Sequence, residues 1–273
     1  MICGNGAAES GFFNYYIVSM AQRCFANEMS ASGWTDTRWS YWHPWLDGIV
    51  EVGTLWGRDV GLPTHFHHES QVTFVVSGRR RFFIGGELIT LVPGQGTLIP
   101  AGVAHQSLGE PSGVACLNVY VPAGDYEVAA IMRDAERLWR KAGRIRCTEL
   151  ATIVRERRRG ARSGMMASNA VPADVIRLER VSRAAVRARM SREGFTRMFA
   201  KRHGMPPHAF WLMARLNHAR ELLRAGEGIA GTAAMTGFSD QSHFGRWFRR
   251  AFGITPGRYR SGWPRSQTCQ TGR

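Results

Sequence analysis

Residues 237–252 read Gly237-Phe238-Ser239-Asp240-Gln241-Ser242-His243-Phe244-Gly245-Arg246-Trp247-Phe248-Arg249-Arg250-Ala251-Phe252. Phe244, Trp247, Phe248 and Ala251, continued by Phe252, recur at the three- and four-residue spacing of one helical face, and so large an aromatic stripe must be buried. The opposite face holds Gln241, Ser242, Gly245, Arg246, Arg249 and Arg250. Ser239 or Asp240 caps this helix by accepting from a free backbone N–H. Ahead of it, Gly237 supplies the positive φ of a tight turn, Phe238 plugs the angle between two helices, and Ile229 to Met235 forms the short first helix. The outward face suits a helix laid in a DNA groove: an amide for adenine, a guanidinium for guanine, arginines for phosphates, and a glycine that permits close approach.

The same layout occurs earlier. Arg183 to Ala188 is a short helix, Arg189-Met190 a turn, and Ser191 the cap of a helix running to about Arg202. Phe195, Met198 and Phe199 are expected inside, with Arg192, Glu193, Thr196 and Arg197 outside. Phe195-Thr196-Arg197-Met198-Phe199 matches Phe244-Gly245-Arg246-Trp247-Phe248, and each is followed by Gly and Pro, at Gly204 and Pro206 and at Gly253 and Pro256. The internal repeat is about 49 residues. One long helix, Pro207 to Ala225, joins the copies, with Phe210, Met213, Leu216, Ala219, Leu222 and Leu223 along one side.

On these residues the chain resembles the C-terminal domain of the AraC/XylS family of transcriptional regulators. The match runs through Arg215-Leu216, Ala219, Leu222-Leu223, Gly237 to Phe244, Arg246-Trp247-Phe248 and Phe252-Gly253-Ile254-Thr255-Pro256-Gly257-Arg258-Tyr259-Arg260. The resemblance implies two helix-turn-helix units entering successive major grooves about 34 Å apart. It implies base-facing positions at Glu193, Thr196 and Arg197 in the first unit and Gln241, Ser242, Gly245 and Arg246 in the second. The chain departs from the family at Arg189, where the turn usually has Gly, at Gly231 and Thr232, and at Gly194, which weakens its helix by about 1 kcal/mol relative to Ala.

Residues 34–124 have a different texture. Apolar runs at 49–56, 71–77, 81–84, 88–92, 97–100 and 114–121 are punctuated by turn signals such as Gly85-Gly86, Pro93-Gly94 and Ala101-Gly102, the pattern of an all-β sandwich or barrel. Pro63-Thr64-His65-Phe66-His67-His68-Glu69-Ser70-Gln71 and the segment from Gly94 to His105 resemble the two cupin motifs. The spacing places His65 and His67 on one side of a strand, and His105 converges from a second. Two roles are open for them: lining an effector cavity with Gln71, Trp42, Trp45 and Trp56, or holding a metal. Gln71 stands where a cupin metal site usually has a carboxylate, so no metal or other cofactor is expected.

Charge divides the chain in the same way. Through residue 140 there are 9 Lys+Arg and 13 Asp+Glu; from 141 onward there are 27 and 8. So one-sided a field attracts a polyanion, nucleic acid first; RNA is disfavoured by the lack of an aromatic stacking surface. Five widely spaced cysteines without a C-x-x-C pair point to a reducing compartment. No apolar run approaches the roughly 20 residues of a membrane span, and residues 12–20 lack the basic flank of a signal peptide. Met29 reads as an alternative start.

The expected organisation is β then α: a poorly patterned segment, 1–33; a cupin β-barrel, 34–124; an amphipathic helix, 125–142, which packs on the barrel or dimerises; a basic linker, 143–173, that can begin with a short helix; an all-α domain of two helix-turn-helix units joined by a long helix, 174–262, capped by Asp174; and a tail, 263–273. The expected function is a cytoplasmic, sequence-specific regulator, an activator and not an enzyme. Its expected partners are double-stranded DNA, a small-molecule effector, RNA polymerase and a second copy of itself. The competing reading is a metal-dependent cupin enzyme with an accessory DNA-binding domain, its metal on His65, His67 and His105.

Overall fold

A computed structural model of the chain describes residues 37–159 and 181–263. Met29, the segment 1–33, the Asp174 cap, the linker from residue 160 onward and all but the first residue of the tail lie outside the described residues.

The described residues open with nine strands: β1 (Arg38–Trp42), β2 (Glu51–Gly57), β3 (Leu62–His65), β4 (Ser70–Gly78), β5 (Arg80–Ile84), β6 (Glu87–Leu91), β7 (Gly96–Ile99), β8 (His105–Ser107) and β9 (Val114–Val121). Among the described residues they pair as two sheets, ordered β1-β2-β9-β4-β7 and β3-β8-β5-β6. The expected barrel is thus a two-sheet structure whose inner faces meet in one core. The Gly85-Gly86 turn closes the β5–β6 hairpin with φ of 60° and 92°, which is the doubly left-handed geometry of a two-residue hairpin turn. Every residue of β9 is buried, because the inner core covers one face and helices cover the other.

Those helices are α1 (Val128–Ala142) and α2 (Cys147–Glu156). The apolar stripe of α1 buries Ala130, Ile131 and Ala135 and lies against β7. Met132 and Trp139 fill the space over Gly96 and Gly94. Packing on the sheet therefore accounts for this stripe. α2 occupies the start of the expected linker, with Leu150, Ala151 and Val154 buried over β2 and β9. The arginine run after it is used locally: Arg157 pairs with Asp134 at 2.7 Å and Arg159 with Glu127 at 3.5 Å.

Among the described residues six helices follow: α3 (Val181–Arg187), α4 (Arg192–His203), α5 (Pro207–Arg224), α6 (Ile229–Met235), α7 (Gln241–Phe252) and α8 (Pro256–Arg260). One continuous core runs from Trp39, Leu55, Phe66 and Phe82 of the sheets to Phe210, Leu216, Phe244, Phe248 and Tyr259 of the helices. The first helical pair has a small core of its own, Ala184, Ala185 and Phe195, joined by Phe199 and Trp211. The second helix-turn-helix unit is thereby built into the sheet domain, whereas the first rests on α5.

Candidate nucleic-acid interface and sensor cavity

The two helix-turn-helix units repeat at the level of hydrogen bonds. In the first, Arg189 is left-handed with φ 53°, its N–H donates to Val186 O and the N–H of Met190 donates to Ala185 O. In the second, Gly237 has φ 72°, its N–H donates to Ala234 O and that of Phe238 to Ala233 O. Both are Schellman turns, which satisfy carbonyls left free at a helix end. Arg189 pays the steric cost that Gly237 avoids, about 1 kcal/mol. The cap Ser191 Oγ accepts from Gly194 N, and the cap Asp240 carboxylate accepts from His243 N. The turns are thus offset by 48 residues and the reading helices by 49, since the second unit carries one extra residue before its cap.

Arg215 holds the second turn from outside it. Its Nε donates to Thr236 O at 2.6 Å, Nη2 donates to Gly237 O, and the guanidinium lies 4.2 Å from the Phe238 ring centre. The first turn lacks this support among the described residues, and its Met190 is 37% exposed where Phe238 is 6%.

On α7, Phe244, Phe248, Ala251 and Phe252 are buried, Trp247 is half-buried, and Gln241, Ser242, Arg246, Arg249 and Arg250 are exposed. A Cβ on Gly245 would meet nothing within 4 Å. Nothing among the described residues requires glycine there, although it costs about 1 kcal/mol of helix propensity. On α4, Arg192, Glu193 and Arg197 are exposed; Thr196 is half-buried and its hydroxyl donates to Arg192 O. Gly194 differs from Gly245, since a Cβ there would press on the Ser191 cap at 3.1 Å. Met198, expected inside, is 37% exposed, because the first unit's core is too small to reach it. Among the described residues none forms an ion pair with Arg192, Arg197, Arg246 or Arg249.

The histidines converge between the sheets. His65, His67 and His105 are all buried, with ring centres 4.3–5.1 Å apart. His67 lies just past the end of β3, so the loop, rather than strand alternation, brings it in. His65 Nδ1 is 2.7 Å from Pro63 O and His105 Nδ1 is 3.0 Å from Val103 O. A carbonyl only accepts, so both Nδ1 carry the proton and both Nε2 are lone-pair acceptors. Burial holds His105 down at about 4 and His65 and His67 well below the usual imidazole value. All three are neutral near pH 7.

Gln71 lines the same cavity, and its Nε2 donates to Asn118 Oδ1 at 2.9 Å. Trp42, Trp45 and Trp56 do not line it; Trp45 is 58% exposed in the loop after β1. Alternation on β1 instead turns Trp39 and Tyr41 inward. Arg80, unforeseen from the sequence, forms another part of the wall. Its signal was its parity with Phe82 on β5, obscured by the flanking Arg79 and Arg81. The last wall is Ala251 and Phe252, the end of α7, and the enclosed space has room for about one water-sized sphere.

Buried charge joins the sheets to α5. Arg220 Nη2 donates to Glu51 Oε1 at 2.6 Å, Arg224 Nη2 to Glu69 Oε1 at 2.5 Å, and Tyr259 OH to Glu51. Asn217 Nδ2 donates to Phe66 O at 2.8 Å and Tyr41 OH to Phe252 O at 3.1 Å.

A cupin cavity implies a metal, and the three imidazoles supply nitrogen donors within 4.8 Å of one another. The remaining residues do not fit one. The carboxylate position is the neutral amide of Gln71, and the wall carries the cation Arg80, which among the described residues no carboxylate contacts. A divalent ion there meets repulsion in a low-dielectric site where a carboxylate would have offered attraction.

Comparison with known proteins agrees with the two-part architecture. A helix-turn-helix domain family matches residues 184–262 and a cupin domain family matches residues 52–114. The HTH-type transcriptional regulator MtrA of Neisseria gonorrhoeae is 33% identical over 81 residues, 29% of this chain and 27% of that protein. The chain thus spans about a quarter of the length of the curated relatives it matches. An AraC-type transcriptional regulator from Chromobacterium violaceum is 32% identical over 34% of this chain and 80% of its own, with a TM-score of 0.29. ToxT from Vibrio cholerae, solved with an unsaturated fatty acid bound, is 11% identical and covers 85% of this chain and 98% of its own, with a TM-score of 0.47.

Proposed function

We propose that this chain, which belongs to the AraC-type helix-turn-helix family and carries a cupin domain ahead of that module, is a sequence-specific regulator of transcription that binds double-stranded DNA and senses a small effector. The observation that carries this reading is the outward face of α7: Gln241, Ser242, Arg246 and Arg249 exposed, and a glycine among them for which the chain itself has no use. Arg246 and Gln241 suit base readout, and Arg249 and Arg250 suit phosphate. On α4, Arg192, Glu193, Thr196 and Arg197 take the corresponding places, and the weaker turn at Arg189 makes that unit a contributor of affinity more than of specificity.

The effector reading rests on the cavity wall. Ala251 and Phe252 belong to the reading helix, so whatever fills the cavity acts on the last turn of α7 without an intermediary. His65, His67, His105 and Gln71 are its contacts. The protein works in the cytoplasm, where its DNA is, and changes the engagement of RNA polymerase, as an activator; a second copy of the chain reads the other half of an extended site. The relatives are named as regulators, and the catalytic reading loses its support with the metal.

The test is a footprint on operator DNA selected from a random pool. Arg246→Ala is expected to weaken specific binding by about 1 to 3 kcal/mol and non-specific binding less. An unaltered footprint at unaltered affinity refutes the assignment.

A further inference from the structure

Arg80 is 2% exposed, its guanidinium lies 4.7 Å from the Phe82 ring centre and 5.8 Å from that of Trp39, and among the described residues none of its contacts is an anion. Nη1 donates to Val60 O at 3.2 Å and Leu108 O at 3.5 Å, Nη2 donates to Ser107 Oγ, and Nε is buried without a partner. The neighbouring carboxylates are committed elsewhere. Glu110 pairs with Arg79 and Arg81 at 3.3 and 2.9 Å, and Glu51 and Glu69 pair with Arg220 and Arg224. Glu110 favours the charged guanidinium without touching it, and a buried cation with no anion in contact is costly unless something supplies one. The same wall presents two imidazole Nε2 acceptors, His65 and His105, which ask for a hydrogen-bond donor. Relative to a metal-binding cupin, the site has lost its anion and gained a cation, so the charge of its preferred occupant is inverted.

We propose that the cavity binds a small hydroxycarboxylate, its carboxylate on Arg80 and its hydroxyl donating to the Nε2 of His65 or His105. This rests on the effector reading above and names the effector's chemical class. The space left in the described structure is about that of one water, so even a two- or three-carbon ligand enters by moving Phe252, whose place at the end of α7 couples entry to the reading helix.

The experiment is a thermal-shift and calorimetric titration of the full chain with glycolate and lactate at fixed ionic strength. Acetate, which lacks the hydroxyl, ethylene glycol, which lacks the charge, and cobalt(II) chloride are run beside them. Glycolate or lactate should stabilise saturably, acetate more weakly, and ethylene glycol not at all. Arg80→Met should weaken binding at least about tenfold, as loss of a charged hydrogen bond does, and Arg80→Lys should retain part of it. Should Arg80→Met fail to fold, Gln71→Glu keeps the test: it should lose the carboxylate and gain cobalt. No saturable response of the wild type to either hydroxycarboxylate, an equal response in folded Arg80→Met, or stoichiometric cobalt on the wild type overturns the proposal. The footprint separates the two readings: a protein that footprints but ignores hydroxycarboxylates sinks the ligand and leaves the regulator, while one that binds glycolate through Arg80 but footprints nowhere does the reverse.

Discussion

Replacing Arg220 by Met keeps most of the side-chain volume and removes only the charge and its hydrogen bonds. Arg220 is 2% exposed and Glu51 is fully buried, and the guanidinium also lies 4.9 Å from the Phe252 ring centre and 5.2 Å from that of Tyr120. The substitution leaves Glu51 with Arg224 at 3.5 Å and the Tyr259 hydroxyl. Removing one partner of a buried pair costs about 3 to 5 kcal/mol, because the other charge stays buried and under-compensated. That is a large share of a domain's total stability of about 5 to 15 kcal/mol. Urea denaturation followed by circular dichroism should therefore show a much lower midpoint for Arg220→Met and for Glu51→Gln alone. The double variant should recover a substantial part, since both charges then leave together, and the cycle should report a coupling of about 2 kcal/mol or more. Strictly additive effects, or an Arg220→Met variant within about 1 kcal/mol of the wild type, would refute the argument that this pair locks the sheets to α5.

Gly245→Ala should raise stability by about 1 kcal/mol through helix propensity, as no atom stands within 4 Å of the new methyl, while weakening operator binding; unchanged affinity would show that the face does not meet a partner closely. Arg189→Gly should stabilise the first unit by about 1 kcal/mol by relieving its left-handed backbone, read as stronger hydrogen-exchange protection of α3 and α4, and no gain would mean that the turn is not strained. For pH, the sign follows from burial. An imidazole at about 4 in the folded chain and near 6.5 unfolded is neutral in both states above pH 6.5, and the unfolded state gains protons first as pH falls. His105 alone should cost about 2 kcal/mol between pH 7.5 and 5, with His65 and His67 adding to it; a flat urea midpoint across that window would contradict neutral, buried histidines.

The second helix-turn-helix unit was readable residue by residue because its determinants are local. Gly237 in the turn, Asp240 at the cap and the Phe244 to Phe252 stripe each act within a few positions of themselves. Six of the strands were readable for the same reason, as apolar runs closed by turn signals. β1 was not, since Arg38 and Ser40 interrupt its aromatic residues, and β3 and β8 were legible only through the histidines they carry. Trp42, Trp45 and Trp56 suit a cavity wall by residue type alone, and the pleat turns Trp39 and Tyr41 inward instead. Met198 has the helical phase of a core residue but no core to enter.

Local pattern by itself therefore determined the two classes of structure and the turns and caps of both reading helices, since each follows from backbone preferences and short periodicities; the meeting of His65 and His67 with His105 rests on a loop and a second strand. Only the tertiary structure decided that the sheets and the second unit share one core, that Glu51 meets Arg220 across 169 residues, and that Arg80 stands in the cavity without an anion. Those facts depend on which faces meet across the fold, where long-range packing and the cost of burying charge, rather than local propensity, set the outcome.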